Sequence, residues 1–116
     1  MTELLDQIEL DVCEAKFTVL RSRQLALRLE EALGALYPFA RRLEDGSATL
    51  REVALLYRLM LRDEPEQPSQ LDIDEWSYNR GVLGHEAVSV FLVGLVMGSE
   101  RLKRSAEALV PGITSP

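Results

Sequence analysis

The side chains best suited to chemistry are few in this chain. His85 precedes Glu86 where a helix should begin, and Cys13 is the single cysteine. A zinc site of the H-E-x-x-H type needs a second histidine, which the sequence lacks. No local motif brings Cys13 and His85 together as a nucleophile and its base. The sequence also contains no nucleophile elbow, phosphate loop or dinucleotide fingerprint. We therefore expect a structural or solvated His85, no metal or cofactor, and no enzymatic activity.

A second candidate for chemistry is the acidic stretch of residues 63–75, which has six carboxylates and no basic residue. Its residues do not follow the D-x-[DN]-x-[DN]-G order of a calcium loop. The segment "DEPEQPSQ" (63–70) is therefore interpreted as a solvated loop. Trp76 and Tyr78 follow at a spacing that places them on different sides of a helix. One should enter the core and the other should be exposed, and Trp76 is taken as a candidate for contact with a partner.

Composition limits the classes of partner. The 116 residues include 47% hydrophobic residues, enough for one cored domain, and carry a formal net charge of −6. Such a charge does not favour nucleic acids or membrane surfaces, which attract clustered Lys and Arg. The apolar run 87–98 is shorter than the roughly 20 residues that span a bilayer. The charge and the short apolar run predict a protein that binds neither nucleic acid nor membrane, and a lone cysteine with an acidic start unlike a signal peptide predicts a cytoplasmic one.

The first element predicted is a β-hairpin over residues 8–20. "IELDV" (8–12) alternates apolar and acidic residues, and "AKFTVL" (15–20) is rich in residues that favour strands. The intervening Cys13 and Glu14 lack the glycine or asparagine that usually marks a tight turn. An amphipathic helix over residues 2–11 is the alternative.

Four or five helices follow the hairpin, so the predicted fold is mainly α, in a single domain over residues 1–110 with a disordered tail at 111–116. Capping residues set most of the expected boundaries. The expected boundary signals are Ser22 and Gly34 for the first helix, Pro38 and the "EDGS" turn (44–47) for a short second helix, the Thr49–Glu52 capping box for the third, an Asp72–Glu75 pair and Gly81 or Gly84 for the fourth, and residues 85–109 for the last.

The last helix carries the most distinctive pattern. Apolar or small residues recur at alternating spacings of four and three, a heptad-like seam. The seam consists of Val88, Leu92, Leu95, Ser99, Leu102, Ala106 and Leu109. Gly94 and Gly98 lie four apart, and each costs about 1 kcal/mol relative to alanine inside a helix, so both should serve close packing. That packing is either within the chain or with a second copy or a client. Gly94, Gly98, Leu102, Ala106 and Leu109 are the candidate partner-binding residues.

The order of elements resembles a known family. The segments that carry the resemblance are "RLEEALG" (28–34), "PFARRLEDGS" (38–47), "TLREVALLYRLML" (49–61) and "NRGVLGHEAVSVFLVGLVMG" (79–98). Preceded by a short β element, this order is similar to that of the tail assembly chaperones of long-tailed bacteriophages and gene transfer agents, over roughly residues 8–100. The turn without glycine and the long acidic loop depart from the family's pattern.

The resemblance implies a chaperone without enzymatic activity. Members of the family bind the tape measure protein, a very long helical chain, keep it soluble in the host cytoplasm, and leave before the virion is complete. A longer frameshifted form contacts the tail tube protein in many such phages. A small helical adaptor that inhibits a host regulatory protein is the alternative function, and the neighbouring gene would distinguish the two.

Overall fold

A hairpin followed by five helices forms the part of the chain that the computed structural model describes, residues 6–97. Both ends of the predicted domain and the tail at 111–116 lie outside these residues. The elements are β1 (Gln7–Val12), β2 (Ala15–Leu20), α1 (Arg23–Leu33), α2 (Leu36–Asp45), α3 (Leu50–Met60), α4 (Gln70–Arg80) and α5 (Glu86–Met97). The prediction of a mainly α fold with an amino-terminal β-hairpin is confirmed.

The hairpin buries one face and exposes the other, as its alternation predicts. Ile8 pairs with Val19 and Leu10 pairs with Phe17, and all four side chains are buried. The alternative helix over residues 2–11 is wrong from Gln7 onward, because these residues form β1. The turn places both Cys13 (φ 54°) and Glu14 (φ 65°) in the left-handed region. Two-residue hairpins need that conformation, and here two residues with side chains adopt it.

Two of the predicted helix starts are confirmed by their caps. The Ser22 hydroxyl accepts a hydrogen bond from the Leu25 amide at 3.1 Å, and α1 ends before Gly34. In the capping box of α3, the Thr49 hydroxyl accepts from the Glu52 amide at 3.1 Å. The Glu52 carboxylate accepts in return from the Thr49 amide at 2.9 Å. These local bonds explain why sequence alone located both starts.

Two other starts were predicted too late along the chain. Helix α2 begins at Leu36 rather than Pro38, because proline is tolerated anywhere in a first turn and does not mark its first residue. Helix α4 begins at Gln70, since the Ser69 hydroxyl accepts from the Asp72 amide at 3.1 Å. Asp72 is therefore inside the first turn, and its expected capping pair with Glu75 is wrong. The end of α4 at Gly81 is as predicted.

The core contains the buried face of the hairpin and side chains from all five helices. Phe91 and Leu92 of α5 are nearly inaccessible, as are Leu56 and Val53 of α3. None of the helices within residues 6–97 is long and apolar enough to cross a membrane. The face of α5 that carries Phe91 and Leu92 is therefore covered by the rest of the protein.

An ion pair fixes the corner between α2 and α3. The Arg42 guanidinium donates two hydrogen bonds of 2.8 Å to the two carboxylate oxygens of Glu52. This bond from Arg42, more than any other contact, lowers the pKa of Glu52 from 4.5 to about 2. Because Glu52 also closes the cap of α3, one carboxylate both starts a helix and holds the helix before it.

Candidate interaction surface

The seam of the last helix faces inward along its described half. Val88, Leu92 and Leu95 are all buried against the core. This half of the seam therefore stabilises the domain itself and presents nothing to a partner. The four remaining seam positions, Ser99, Leu102, Ala106 and Leu109, lie outside the described residues, as does Gly98.

Gly94 is buried inside the domain. Its carbonyl oxygen accepts a hydrogen bond of 3.1 Å from the Nε of Arg21, which follows β2. The described contact of Gly94 is therefore within the chain and is made by its backbone.

Trp76 is half-buried and packs against the core. Its ring meets the ring of Tyr57 edge to face, with centroids 4.8 Å apart. The guanidinium of Arg80 lies over it at 5.7 Å from the ring centroid. Tyr78, the other aromatic residue of α4, is 69% exposed. Trp76, the sequence-based candidate for partner contact, is therefore the one that packs inside the domain.

His85 is a buried structural residue. Its Nε2 lies 2.8 Å from the Gly81 carbonyl oxygen, which can only accept, so Nε2 carries the proton. Its Nδ1 then accepts the hydroxyl proton of Tyr57 across 2.7 Å. Burial raises the pKa of Tyr57 to about 12, which keeps this hydroxyl a donor. Both ring nitrogens of His85 are used in holding α3, the end of α4 and the start of α5 together.

The side chains considered for chemistry are not arranged for it. The Sγ of Cys13 points at the backbone oxygen of Asp72, 3.5 Å away. Burial, with Asp72 and Glu14 adding to it, raises the pKa of Cys13, the opposite of what activates a nucleophilic thiol. Within residues 6–97, no group of three or more His, Cys, Asp or Glu side chains is placed to hold a metal ion.

The surface that the sequence did not single out is the groove between α2 and α5. It has a volume of about 190 Å³ and includes Tyr37 of α2 with Val90 and Val93 of α5. Tyr37 is 51% exposed and Val90 is 55% exposed, although both are large and apolar. A signal for this groove was present in the sequence. Residues 87–97 are apolar on nearly all sides of the helix, and a small domain covers only one side.

Comparison of this chain with protein-family models, with curated proteins and with solved structures finds no match. The interaction surface is therefore defined by its own geometry and by the pattern of the sequence.

Proposed function

We propose that this protein is a tail assembly chaperone of a long-tailed bacteriophage or gene transfer agent. In this role it binds the tape measure protein, keeps that protein soluble in the host cytoplasm, and leaves before the virion is finished. The tail tube protein is a second partner in such an assembly, and no covalent reaction is catalysed. The order of elements in "RLEEALG", "PFARRLEDGS" and the segments after them supports this assignment.

The observation that carries the proposal is the exposed apolar surface of α2 and α5 on a protein of net charge −6. A tape measure protein presents repeated apolar helix faces before the tube covers them. A holder of such a chain needs apolar surface of its own to cover these faces, and Tyr37 and Val90 provide it. Excess negative charge keeps the loaded complex in solution.

The low affinity expected of a small groove suits release during assembly. A tape measure protein offers many similar sites along one chain, so several copies of this protein bind side by side. Each contact can then be weak while the whole client stays covered. A chaperone of this kind gives up its client stepwise as tube subunits polymerise.

The test is co-expression with the long helical protein encoded beside this one. We expect that protein to be insoluble alone, and soluble and co-purifying when this chain is present. A client that stays insoluble, or that is soluble without this chain, contradicts the proposal. Binding to a host regulatory protein instead would favour the adaptor.

A pair of substitutions examines the last part of the sequence seam. Leu102→Asp with Leu109→Asp should abolish co-solubilisation, because both positions continue the apolar phase of the seam. Leu71→Asp is the matched control, since Leu71 is 72% exposed on α4. Circular dichroism and gel filtration establish that each variant is folded. Unchanged co-solubilisation by the double variant would remove Leu102 and Leu109 from the client-binding role.

A further inference from the structure

The α2–α5 groove is bordered by two rows of side chains, one from each helix. Helices α2 and α5 run antiparallel, since Leu83 before α5 lies beside Gly46 after α2, where an added Cβ would come within 2.6 Å of the Leu83 side chain. Tyr37, Arg41 and Glu44 follow one another along α2 at spacings of four and three. Glu86, Val90 and Val93 do the same along α5. Alternating spacings of four and three are those of a coiled-coil seam, against which a third helix can pack.

The floor of the groove is small and carries no unsatisfied polar side-chain atom. Ala40 is 1% exposed and Ser89 is 4% exposed, so both are covered within the chain and a partner would contact the side chains that border them. The Ser89 hydroxyl donates to the His85 carbonyl oxygen of its own helix at 3.3 Å. An apolar side chain entering the groove therefore strands no hydrogen-bonding group of the floor.

The charge of the groove is negative. Glu44 and Glu86 line it together with one basic residue, Arg41. Arg41 lies one turn before Asp45 and contributes, after the larger effects of Ser47, to lowering the pKa of that carboxyl. Two carboxylates against one guanidinium still leave the lining with an excess of negative charge.

Other occupants fit less well. The volume of about 190 Å³ is below the roughly 300–1,000 Å³ of small-molecule pockets. A symmetric pair of grooves would gather four carboxylates and only two arginines, whichever way the second copy is oriented. A helix with apolar residues on one face and lysine or arginine beside that face meets both the ridges and the charge.

We infer that the α2–α5 groove binds an amphipathic helix of the client, with apolar side chains seated between Tyr37 and Val90 and a basic side chain beside Glu44 and Glu86. This inference rests on the proposed function for the identity of the client. The surface and the chemistry of its ligand are defined by the groove alone. The candidate residues of the sequence seam are not needed for it.

The test uses two synthetic helical peptides of about 20 residues, a length of roughly 30 Å. Both have leucine along one face, and they carry either lysines or glutamates beside it. The full chain is titrated with each peptide by fluorescence anisotropy, and backbone amide NMR locates the contact. We expect the lysine peptide to bind with shifts concentrated along α2 and α5, and the glutamate peptide to bind at least about tenfold more weakly.

Two pairs of variants distinguish binding in the groove from effects of net charge or of apolar surface elsewhere on the protein. Val90→Asp should weaken binding of the lysine peptide by about tenfold or more, while Leu71→Asp leaves it unchanged. Glu44→Gln with Glu86→Gln should weaken it about fivefold, while Glu30→Gln with Glu31→Gln, an equal change in net charge on α1, should not. All four positions of the glutamate variants are exposed, so the fold is retained in each.

Several outcomes overturn the inference. These are no binding of the lysine peptide, shifts that map to another surface, equal binding of both peptides, or equal loss in the variants and their controls. A wild-type dimer that Val90→Asp dissociates would assign the groove to a second copy. Failure of co-solubilisation with a neighbouring helical protein, while the lysine peptide still binds the groove, would reject the proposed function and keep the groove.

Discussion

On one side of α5 a polar side chain is buried and hydrogen-bonded, and on the other side apolar side chains are exposed. Towards α3 and α4, the protein buries His85 and gives each of its ring nitrogens a partner at 2.7 and 2.8 Å. Towards α2, it leaves Tyr37 and Val90 about half exposed. On the first side, polar groups that would be costly to bury without partners are hydrogen-bonded inside the chain. On the second side, apolar surface is left in water.

The difference between the two sides of α5 indicates which residues serve function. A buried histidine in a cleft with Tyr57 and Trp76 is placed where catalytic residues are often found, yet its bonds are those of a structural clamp. A valine on a helix looks like core in the sequence, yet Val90 faces outward. Beside α5 the buried histidine is fully hydrogen-bonded and the exposed large side chains are apolar, which is why the α2–α5 groove, and not the cleft at His85, carries our proposal.

The largest expected effect contrasts two neighbours on α5. Phe91→Ala should lower the free energy of unfolding by about 3–5 kcal/mol, because Phe91 is 2% exposed and its loss leaves a cavity. Val90→Ala should change it by no more than about 0.5 kcal/mol. Urea unfolding followed by circular dichroism measures both. Similar losses in the two variants would mean that Val90 is covered within the chain, and the comparison would fail.

The next effect tests the polar side. Tyr57→Phe should cost about 1–3 kcal/mol of stability, because it leaves the buried Nδ1 of His85 without a donor. Tyr78→Phe makes the same chemical change on a side chain that is 69% exposed and should have no measurable effect. Thermal and urea unfolding of the pair decide the point. If Tyr57→Phe is as stable as the wild type, the clamp contributes nothing and His85 needs another explanation.

The smallest effect concerns the corner that holds α2, one wall of the groove, in place. The folded pKa of Glu52 is about 2 and its ordinary value is 4.5. Its contribution to stability is therefore present above pH 4.5 and is lost as the pH falls towards 2. Since Arg42 is 41% exposed, solvent screening reduces the contribution to about 1 kcal/mol.

The variant Glu52→Gln isolates this contribution. Glutamine at this position still completes a capping box but cannot pair with Arg42 as an anion. Its unfolding free energy should be lower than that of the wild type at pH 7, and the two should converge as the pH falls below about 2. A constant difference at every pH would assign the effect to the cap and not to the ion pair.

Much of the fold could be predicted from short stretches of sequence. The starts of α1 and α3 follow from side chains that cap amides three residues away, and the hairpin follows from alternation over six residues in each strand. The late starts predicted for α2 and α4 were errors of the same local kind. Pro38 and Asp72 are both common near helix starts, and nothing in the sequence says that Leu36 and Gln70 come first.

The interaction surface could not be predicted in the same way. Helix α5 is apolar on nearly all sides, so its sequence does not say which face meets the core. That choice depends on the packing of α2 against α5, a contact between residues some fifty positions apart in the sequence. The seam of Val88, Leu92 and Leu95 was the more regular pattern, and it proved to be the inner face.

The single thiol of the protein stands where the hairpin turn touches the start of α4, with Sγ on the Asp72 backbone oxygen. Cys13 is only partly buried, so a reagent can reach its Sγ in the folded protein, but burial and the nearby carboxylates raise the pKa of the thiol and slow the reaction. Separation of the hairpin from that helix removes these effects, so alkylation faster than that of the folded protein marks the event at one atom without any introduced label.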